Sequence, residues 1–109
     1  MTGTEADNFV RSQALTDVVS KIADLCAPDQ IYLYNQRINS KNEVSSFKLC
    51  VVADVADKFA AEHDIYLEID SDIPFDVLIY TTQEWEELTR ISTTFAYKIS
   101  QTGVVVFNG

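Results

Sequence analysis

Three acidic residues in the second half of the chain could take part in metal chemistry. Asp70 and Asp72 are separated by one residue, and Asp76 follows four residues after Asp72. Carboxylate oxygens are the ligands that Mg²⁺ prefers in proteins. Pro74 lies between the pair and Asp76, which indicates that Asp70 and Asp72 belong to a loop. A loop-capping role is therefore the favoured interpretation of the pair.

Other residue types that carry chemistry are few. Arg37, Lys41 and Lys48 form the one locally basic stretch, which could hold a phosphate without a metal. A solvated hairpin is the favoured alternative. His63, the single histidine of the sequence, has no second His and no Cys at metal-ligand spacing, so we expect a surface residue. The sequence contains no Gly-x-Ser-x-Gly, no glycine-rich phosphate loop and no His-Glu-x-x-His.

The charge of the chain is negative and unevenly distributed. The sequence has 8 Lys and Arg against 17 Asp and Glu, a formal net charge of −9. Residues 53–87 hold eleven of the acidic residues and only one basic residue, Lys58, a net of −10. Such a surface repels phosphate backbones, so general nucleic-acid binding is not expected. A basic protein partner fits better, although a solubilising surface is the simplest interpretation.

Composition favours one compact cytoplasmic domain over residues 1–109. Apolar residues make up 47% of the chain, too many for a disordered segment. No run approaches the roughly 18 apolar residues of a membrane span, and the first residues lack the pattern of a signal peptide. Cys26 and Cys50 lie in apolar runs, where a reduced cysteine packs as a small hydrophobe.

Hydrophobic spacing predicts the elements that must position these residues. Residues 7–26 have apolar side chains at helical steps and stop before Pro28. Residues 30–34 and 47–53 predict two strands on either side of a polar segment, residues 35–46. Residues 54–70 fit a helix and a strand equally well by period, which leaves the choice open.

The remaining residues predict a strand, a long helix and a short terminal run. The strand covers residues 75–81, and Thr81 and Glu84 have the spacing of a helix capping box. The helix is predicted to continue to Gly103 with one face formed by Trp85, Leu88, Ser92, Phe95 and Ile99. Residues 104–107 either add an edge strand or cover the core. This order predicts a mixed sheet flanked by helices, an α/β (α+β) fold.

Four segments carry a resemblance to known proteins. They are Ile31-Tyr32-Leu33-Tyr34, Phe75-Asp76-Val77-Leu78-Ile79-Tyr80-Thr81, Glu84-Trp85-Glu86-Glu87-Leu88 and Ile99-Ser100-Gln101-Thr102-Gly103-Val104-Val105-Val106-Phe107. Together with the order of elements, they resemble the minimal nucleotidyltransferase domain of the DNA-polymerase-β-like superfamily over nearly the whole chain. On this resemblance, residues 54–70 are assigned as a helix. Members of that family transfer a nucleoside monophosphate from a nucleoside triphosphate, using paired Mg²⁺ ions.

The residues at the family's functional positions differ in this chain. In the family, a Gly-Ser turn after the first strand approaches the triphosphate, and an Asp-x-Asp pair and a third carboxylate hold the metals. This chain has Asn35-Gln36 in place of the turn, Ser46 and Lys48 in place of the pair, and retains only Asp76. A serine hydroxyl is a poorer ligand, and a lysine ammonium has no lone pair for a metal. We expect Lys48 either to pair with Asp76 in a partly desolvated cleft or to extend into solvent.

Two functions follow from the resemblance and its departures. The first is a catalytically degenerate, non-enzymatic module that needs no cofactor and binds a protein. The resemblance implies an antitoxin-like or regulatory role, with a small helical partner or self-association. The second is a nucleotidyltransferase or nucleotide-binding protein with Mg²⁺ and ATP, using an altered site around Asp76, Ser46 and the hairpin from Arg37 to Lys48. The missing ligands and the acidic segment favour the first, which has neither a membrane nor a general nucleic-acid partner.

Overall fold

The fold is a mixed α+β arrangement, seen in a computed structural model that describes residues 10–109. Within these residues the helices are α1 (Gln13–Cys26), α2 (Lys58–Glu68), α3 (Thr82–Leu88) and α4 (Phe95–Thr102). The strands are β1 (Gln30–Ile38), β2 (Val44–Val52), β3 (Phe75–Tyr80) and β4 (Val104–Asn108). The chain order α-β-β-α-β-α-α-β confirms the predicted class, with one more helix than expected.

The described strands form one sheet in the order β3-β2-β1-β4. β1 is antiparallel to β2 and to β4, whereas β2 is parallel to β3. A parallel pair needs a crossover connection, and α2 supplies it. The terminal apolar run is therefore an edge strand, β4, and β3 forms the opposite edge.

Helices cover both faces of the sheet because β2 carries apolar side chains on both. Phe47, Leu49 and Val51 belong to the core beneath α1 and α2, whereas Cys50 and Val52 belong to the core beneath α3 and α4. The helix residues that complete the two cores are Leu15, Val18, Ile22 and Ile65 on the first face, and Trp85, Ala96 and Ile99 on the second. Each large buried side chain contributes about 1.5–3 kcal/mol of transfer free energy.

Local signals explain where the first two helices begin and end. Ser12 caps α1, its hydroxyl accepting a hydrogen bond from the N–H of Leu15 at 3.1 Å. The helix ends at Ala27, which has a left-handed φ of 46°, directly before Pro28. Asp57 caps α2 in the same way, which confirms the helix assigned from the resemblance for Lys58–Glu68. Residues 7–9 of the first predicted helix lie outside the described residues.

The polar segment predicted between the first two strands is largely strand. β1 continues to Ile38 and β2 begins at Val44, which leaves residues 39–43 as the turn. Asn39 organises this turn, because its Oδ1 accepts hydrogen bonds from the N–H groups of Lys41 and Glu43. Asn42 supplies the left-handed backbone that the turn requires, with a φ of 61°. Near the turn, the exposed part of the hairpin carries mostly polar side chains. The apolar spacing that predicts a strand therefore stops before β1 and β2 reach the turn.

The prediction of a single long helix after β3 is wrong, because the helix is interrupted at residues 89–94. Threonine hydroxyl groups make additional hydrogen bonds to the last carbonyls of α3 there. The Oγ1 of Thr89 donates to the carbonyl of Trp85 at 2.6 Å, and the Oγ1 of Thr94 donates to that of Leu88 at 2.7 Å. Thr94 then caps α4. The predicted end at Gly103 is confirmed, where a Cβ would lie 2.7 Å from the carbonyl oxygen of Ile99.

Candidate functional site

Five residues singled out by the sequence come together on one face of the sheet. Asn35 of β1 pairs with Lys48 of β2, and Lys48 pairs with Asp76 of β3. Arg37 and Ser46 form a further pair on the same two strands, nearer the hairpin turn. Directly paired residues project to the same side of a sheet. These five residues are called the Lys48 face below.

Gln36 does not belong to this face, and the expected turn at residues 35 and 36 is wrong. β1 runs through both positions, with a register shift between Leu33 and Asn35. Gln36 donates from Nε2 to the carbonyl of Val10 at 2.7 Å, and its Oε1 accepts from the N–H of Val10 at 3.0 Å. Gln36 therefore holds the chain ahead of α1 on the opposite side of the sheet.

Lys48 and Asp76 form a loose, solvent-exposed ion pair. The Lys48 Nζ lies 4.0 Å from the Asp76 Oδ2, and the two side chains are 49% and 69% exposed. The expected pairing across the strands is present, but the expected partly desolvated cleft is not. An ion pair of this exposure contributes at most about 1 kcal/mol.

The ion pair is exposed because α3 and α4 cover only one end of this sheet face. The Trp85 ring lies 5.1 Å from the ring of Tyr32 and 5.6 Å from that of Tyr80. Lys48 and Asp76 lie two residues before Cys50 and Leu78, the first residues of β2 and β3 that pack in the core beneath these helices. Water therefore reaches the Lys48 face directly.

The Lys48 face offers hydrogen-bond donors and one carboxylate. Arg37 and Lys48 are cationic donors, Asn35 and Ser46 are neutral, and Asp76 is the one anionic group. Within residues 10–109, no three His, Cys, Asp or Glu side chains come close enough to hold a metal ion. A bare triphosphate would meet two cations on this face, whereas a dication would meet a single carboxylate beside an ammonium.

The three basic residues of the hairpin do not converge on one point. Lys41 lies in the turn, beyond Val44, so its backbone is roughly 13 Å along the strand from Lys48. All three of Arg37, Lys41 and Lys48 are exposed. The hairpin therefore has the solvated form favoured from the sequence.

Asp70 and Asp72 lie in the loop between α2 and β3, as predicted, and both are exposed. Ser71 makes the side-chain hydrogen bonds that shape this loop. Its hydroxyl donates to the carbonyl of Ile73 at 2.8 Å and accepts from the N–H of Ile73 at 3.2 Å. The capping role expected of the two aspartates is performed by the serine between them.

The sequence did not reveal a row of exposed side chains on α2. Phe59, His63 and Leu67 follow one another at four-residue steps, and Phe59 and Leu67 are 86% and 66% exposed. Ile65 and Ile69 point the other way, into the core. Phe59, His63 and Leu67 are called the α2 stripe below. Apolar residues on both sides of a short helix are the signal that could have found it.

Acidic side chains border the α2 stripe. Glu62, Asp64 and Glu68 are exposed on the same helix. Lys58, at the first turn of α2, is engaged elsewhere: its Nζ lies 3.0 Å from the Glu84 Oε2 of α3. The stripe is thus an apolar and histidine-bearing line within an acidic surface.

The two cysteines are structural, as the sequence indicated. Cys50 is fully buried, and burial raises the pKa of its thiol to about 12. Cys26 is half-buried, and burial followed by the charge of Asp64 raises its pKa. A protonated, buried thiol is a poor nucleophile and a poor metal ligand.

Comparisons of the chain with family models, curated proteins and solved structures found no match. The resemblance to minimal nucleotidyltransferases therefore stays a prediction. None of the helices within residues 10–109 has the length and apolar character that crossing a membrane requires.

Proposed function

We propose that this chain is a cytoplasmic, non-catalytic protein-binding module of nucleotidyltransferase-like fold, which docks a basic helical partner on the α2 stripe. One observation carries the proposal. Phe59 and Leu67 lie on one line of α2 with most of their surface in water. Apolar residues that are grouped on a surface and rimmed by polar ones mark interaction sites.

The charge around the stripe defines the chemistry of the partner. Glu62, Asp64 and Glu68 repel acidic surfaces and attract lysine and arginine side chains. An amphipathic helix presents apolar residues at the same spacing as the α2 stripe and can carry basic residues on both sides of them. Such a partner covers Phe59 and Leu67 and neutralises part of the net charge of −10 in residues 53–87.

The Lys48 face supports the non-catalytic part of the proposal. In the resembling family, the positions of Ser46 and Lys48 hold metal-binding aspartates. Here Lys48 brings an ammonium to the strand position beside Asp76, and Ser46 brings a hydroxyl two residues away along β2. Lys48 places a permanent positive charge at 4.0 Å from the remaining carboxylate, where it competes with any dication.

The alternative function uses the Lys48 face as an altered nucleotide site. Its specific support is the alignment of Asn35, Lys48 and Asp76 across three strands, with Arg37 and Ser46 beside them, on an open surface. A protein of this kind gains stability from ATP, because a ligand stabilises the folded state that binds it.

A peptide titration tests the proposed docking. The probe is a labelled amphipathic helical peptide with leucines on one face and lysines on the other, followed by fluorescence anisotropy. One control peptide has the same composition in an order without an apolar face, and a second replaces lysine by glutamate. The proposal requires that only the basic amphipathic peptide bind in the micromolar range.

Matched variants locate the binding on the protein. Phe59→Ser combined with Leu67→Ser should weaken the peptide affinity by at least about tenfold. Ile91→Ser is the control, because Ile91 is 50% exposed in the connection between α3 and α4, away from the stripe. Docking on the α2 stripe would be contradicted by an equal loss of peptide affinity in the double variant and in Ile91→Ser. It would also be contradicted by equal binding of all three peptides.

A further inference from the structure

A groove opens between α1 and the edge strand β4. Its volume is about 600 Å³, and its apolar wall includes Leu15, Val19 and Ala23 from α1 and Val104 and Val106 from β4. β4 is the last strand of the sheet within residues 10–109, so one side of its backbone has no strand partner there. The groove and the edge form one continuous surface that includes no residue of α2.

The two edges of the sheet are protected very differently. At the β3 edge, Pro74 precedes the strand, Asp76 lies exposed within it, and the Tyr66 hydroxyl accepts a hydrogen bond from the N–H of Val77 at 2.8 Å. These are the devices that keep an edge from pairing with another chain. β4 reads Val-Val-Val-Phe-Asn, without charge or proline, and Val105 is 45% exposed. Within residues 10–109, the β4 edge has a bulge at Val106 but no charge or proline, and it is the edge more open to a further strand.

The surface beside β4 is also self-complementary in charge. Arg11 and Asp24 lie at opposite ends of the groove wall formed by α1, and the α1 residues that line the groove between them are uncharged. A two-fold axis at the middle of α1 relates two antiparallel copies of the helix. This arrangement brings Arg11 of each copy toward Asp24 of the other. A closed two-fold interface requires this kind of self-complementarity. The acidic residues 53–87 lie toward the β3 side of the sheet and stay apart in such an arrangement.

We infer that the occupant of this surface is a second copy of the chain. The two β4 strands pair antiparallel, so that two four-stranded sheets become one continuous sheet, and the two α1 helices face each other across the groove. A register shift in the pairing of β1 with β4 makes Val106 an extra residue in β4. Because this bulge shortens the regular part of β4, the contacts between the α1 helices are needed to complete the interface. This dimer is independent of the proposed docking, since it leaves the α2 stripe exposed.

Sedimentation equilibrium of the full chain from about 1 to about 100 μM tests the dimer. The wild-type protein should reach the mass of two chains within this range. Val105→Lys places a charge on the open edge and should weaken dimerisation by at least about tenfold. Ile91→Lys adds the same charge at a site of similar exposure and should leave the dimer unchanged. A wild-type protein that remains monomeric, or a Val105→Lys protein that dimerises normally, would overturn the inference.

Charge reversal distinguishes this two-fold arrangement from any other self-association. Arg11→Asp and Asp24→Arg each create two like-charge contacts in their own homodimer, so each alone should dimerise at least about tenfold more weakly. An equimolar mixture of the two variants restores opposite charges at both contacts and should dimerise like the wild type. A mixture no better than the single variants would overturn the proposed symmetry. Circular dichroism of each variant checks that the fold is retained.

Discussion

The Lys48 face and the α2 stripe are both exposed, but they place different demands on the rest of the molecule. On the Lys48 face, the charges of Lys48 and Asp76 partly compensate each other in water. On the α2 stripe, Phe59 keeps 86% of its surface in water. Covering a side chain of that size yields about 1.5–3 kcal/mol. An exposed polar face is already solvated and needs no partner. An exposed apolar stripe gives a partner binding free energy when the partner covers it.

The largest expected effect distinguishes a buried side chain of α2 from an exposed one. Ile65 is fully buried, and Ile65→Ala should lower the free energy of unfolding by about 2–5 kcal/mol, because it leaves a cavity in the core. Leu67→Ala removes a side chain of the same size from the α2 stripe and should change the free energy by less than about 0.5 kcal/mol. Urea unfolding of the two variants measures both effects. A cost above about 1 kcal/mol for Leu67→Ala would mean that the stripe contributes to the core.

A second prediction concerns the ability of the Lys48 face to hold a metal ion. The wild-type protein should show no thermal shift with Mg²⁺ and ATP. Ser46→Asp combined with Lys48→Asp places one carboxylate beside Asp76 and a second two residues away along β2, and should create affinity for Mg²⁺. At a free Mg²⁺ concentration about ten times the dissociation constant, the variant gains about 1.4 kcal/mol.

The matched control for this variant is Ser45→Asp combined with Lys41→Asp, which changes the charge equally. Ser45 has no direct partner on β1, and its hydroxyl is engaged with the carbonyl of Arg37 at 3.2 Å. Calorimetry should detect Mg²⁺ binding only to the first variant. Saturable binding of Mg²⁺ and ATP to the wild-type protein would instead favour the alternative nucleotide-binding function.

Short-range signals allowed correct prediction of much of the fold. Thr81 and Glu84 form the complete capping box: the Thr81 hydroxyl accepts from the N–H of Glu84, and the Glu84 Oε1 accepts from the N–H of Thr81. Such contacts depend on residues three apart and are therefore visible in the sequence. The break before α4 was missed, because the hydroxyl groups of residues 89 and 94 bond the last carbonyls of α3 without disturbing the apolar spacing.

The candidate sites were predicted less completely, because exposure depends on which element covers which part of the sheet. The resemblance correctly placed Lys48 beside Asp76. The spacing of residues could not show that α3 and α4 stop short of them. Likewise, Phe59 and Leu67 look like core residues until α2 is seen to pack through Ile65 and Ile69.

The ion pair that joins α2 to α3 should make a modest, pH-dependent contribution. The N–H of Thr81 and the ammonium of Lys58 both bond the Glu84 carboxylate and lower its pKa below the ordinary value of 4.5. A depressed carboxylate pKa stabilises the fold above the unfolded pKa and loses this effect as the pH falls through the folded pKa. Both side chains are partly exposed, so Glu84→Gln should cost about 0.5 kcal/mol at neutral pH.

Urea unfolding of the wild type and of Glu84→Gln between neutral pH and about pH 3 measures this effect. The difference between the two proteins should shrink below about pH 4.5, because the wild-type carboxylate becomes protonated while the amide does not titrate. Lys58→Met serves as the partner variant and should show the same loss at neutral pH. A difference that stays constant with pH would mean that the charge of Glu84 is not the stabilising feature.

The smallest effect is expected for the pair that the sequence placed at the centre of the site. Lys48→Met, Asp76→Asn and the double variant form a double-mutant cycle. At 4.0 Å and with half or more of each side chain exposed, the coupling free energy should stay below about 0.3 kcal/mol. A coupling above about 1 kcal/mol would show that the pair is shielded from water, as the sequence had implied. If the effects of the two substitutions are additive, the contact between Lys48 and Asp76 does not stabilise the fold. A loss of stability on replacing Lys48 by aspartate would then come from repulsion between the new carboxylate and Asp76.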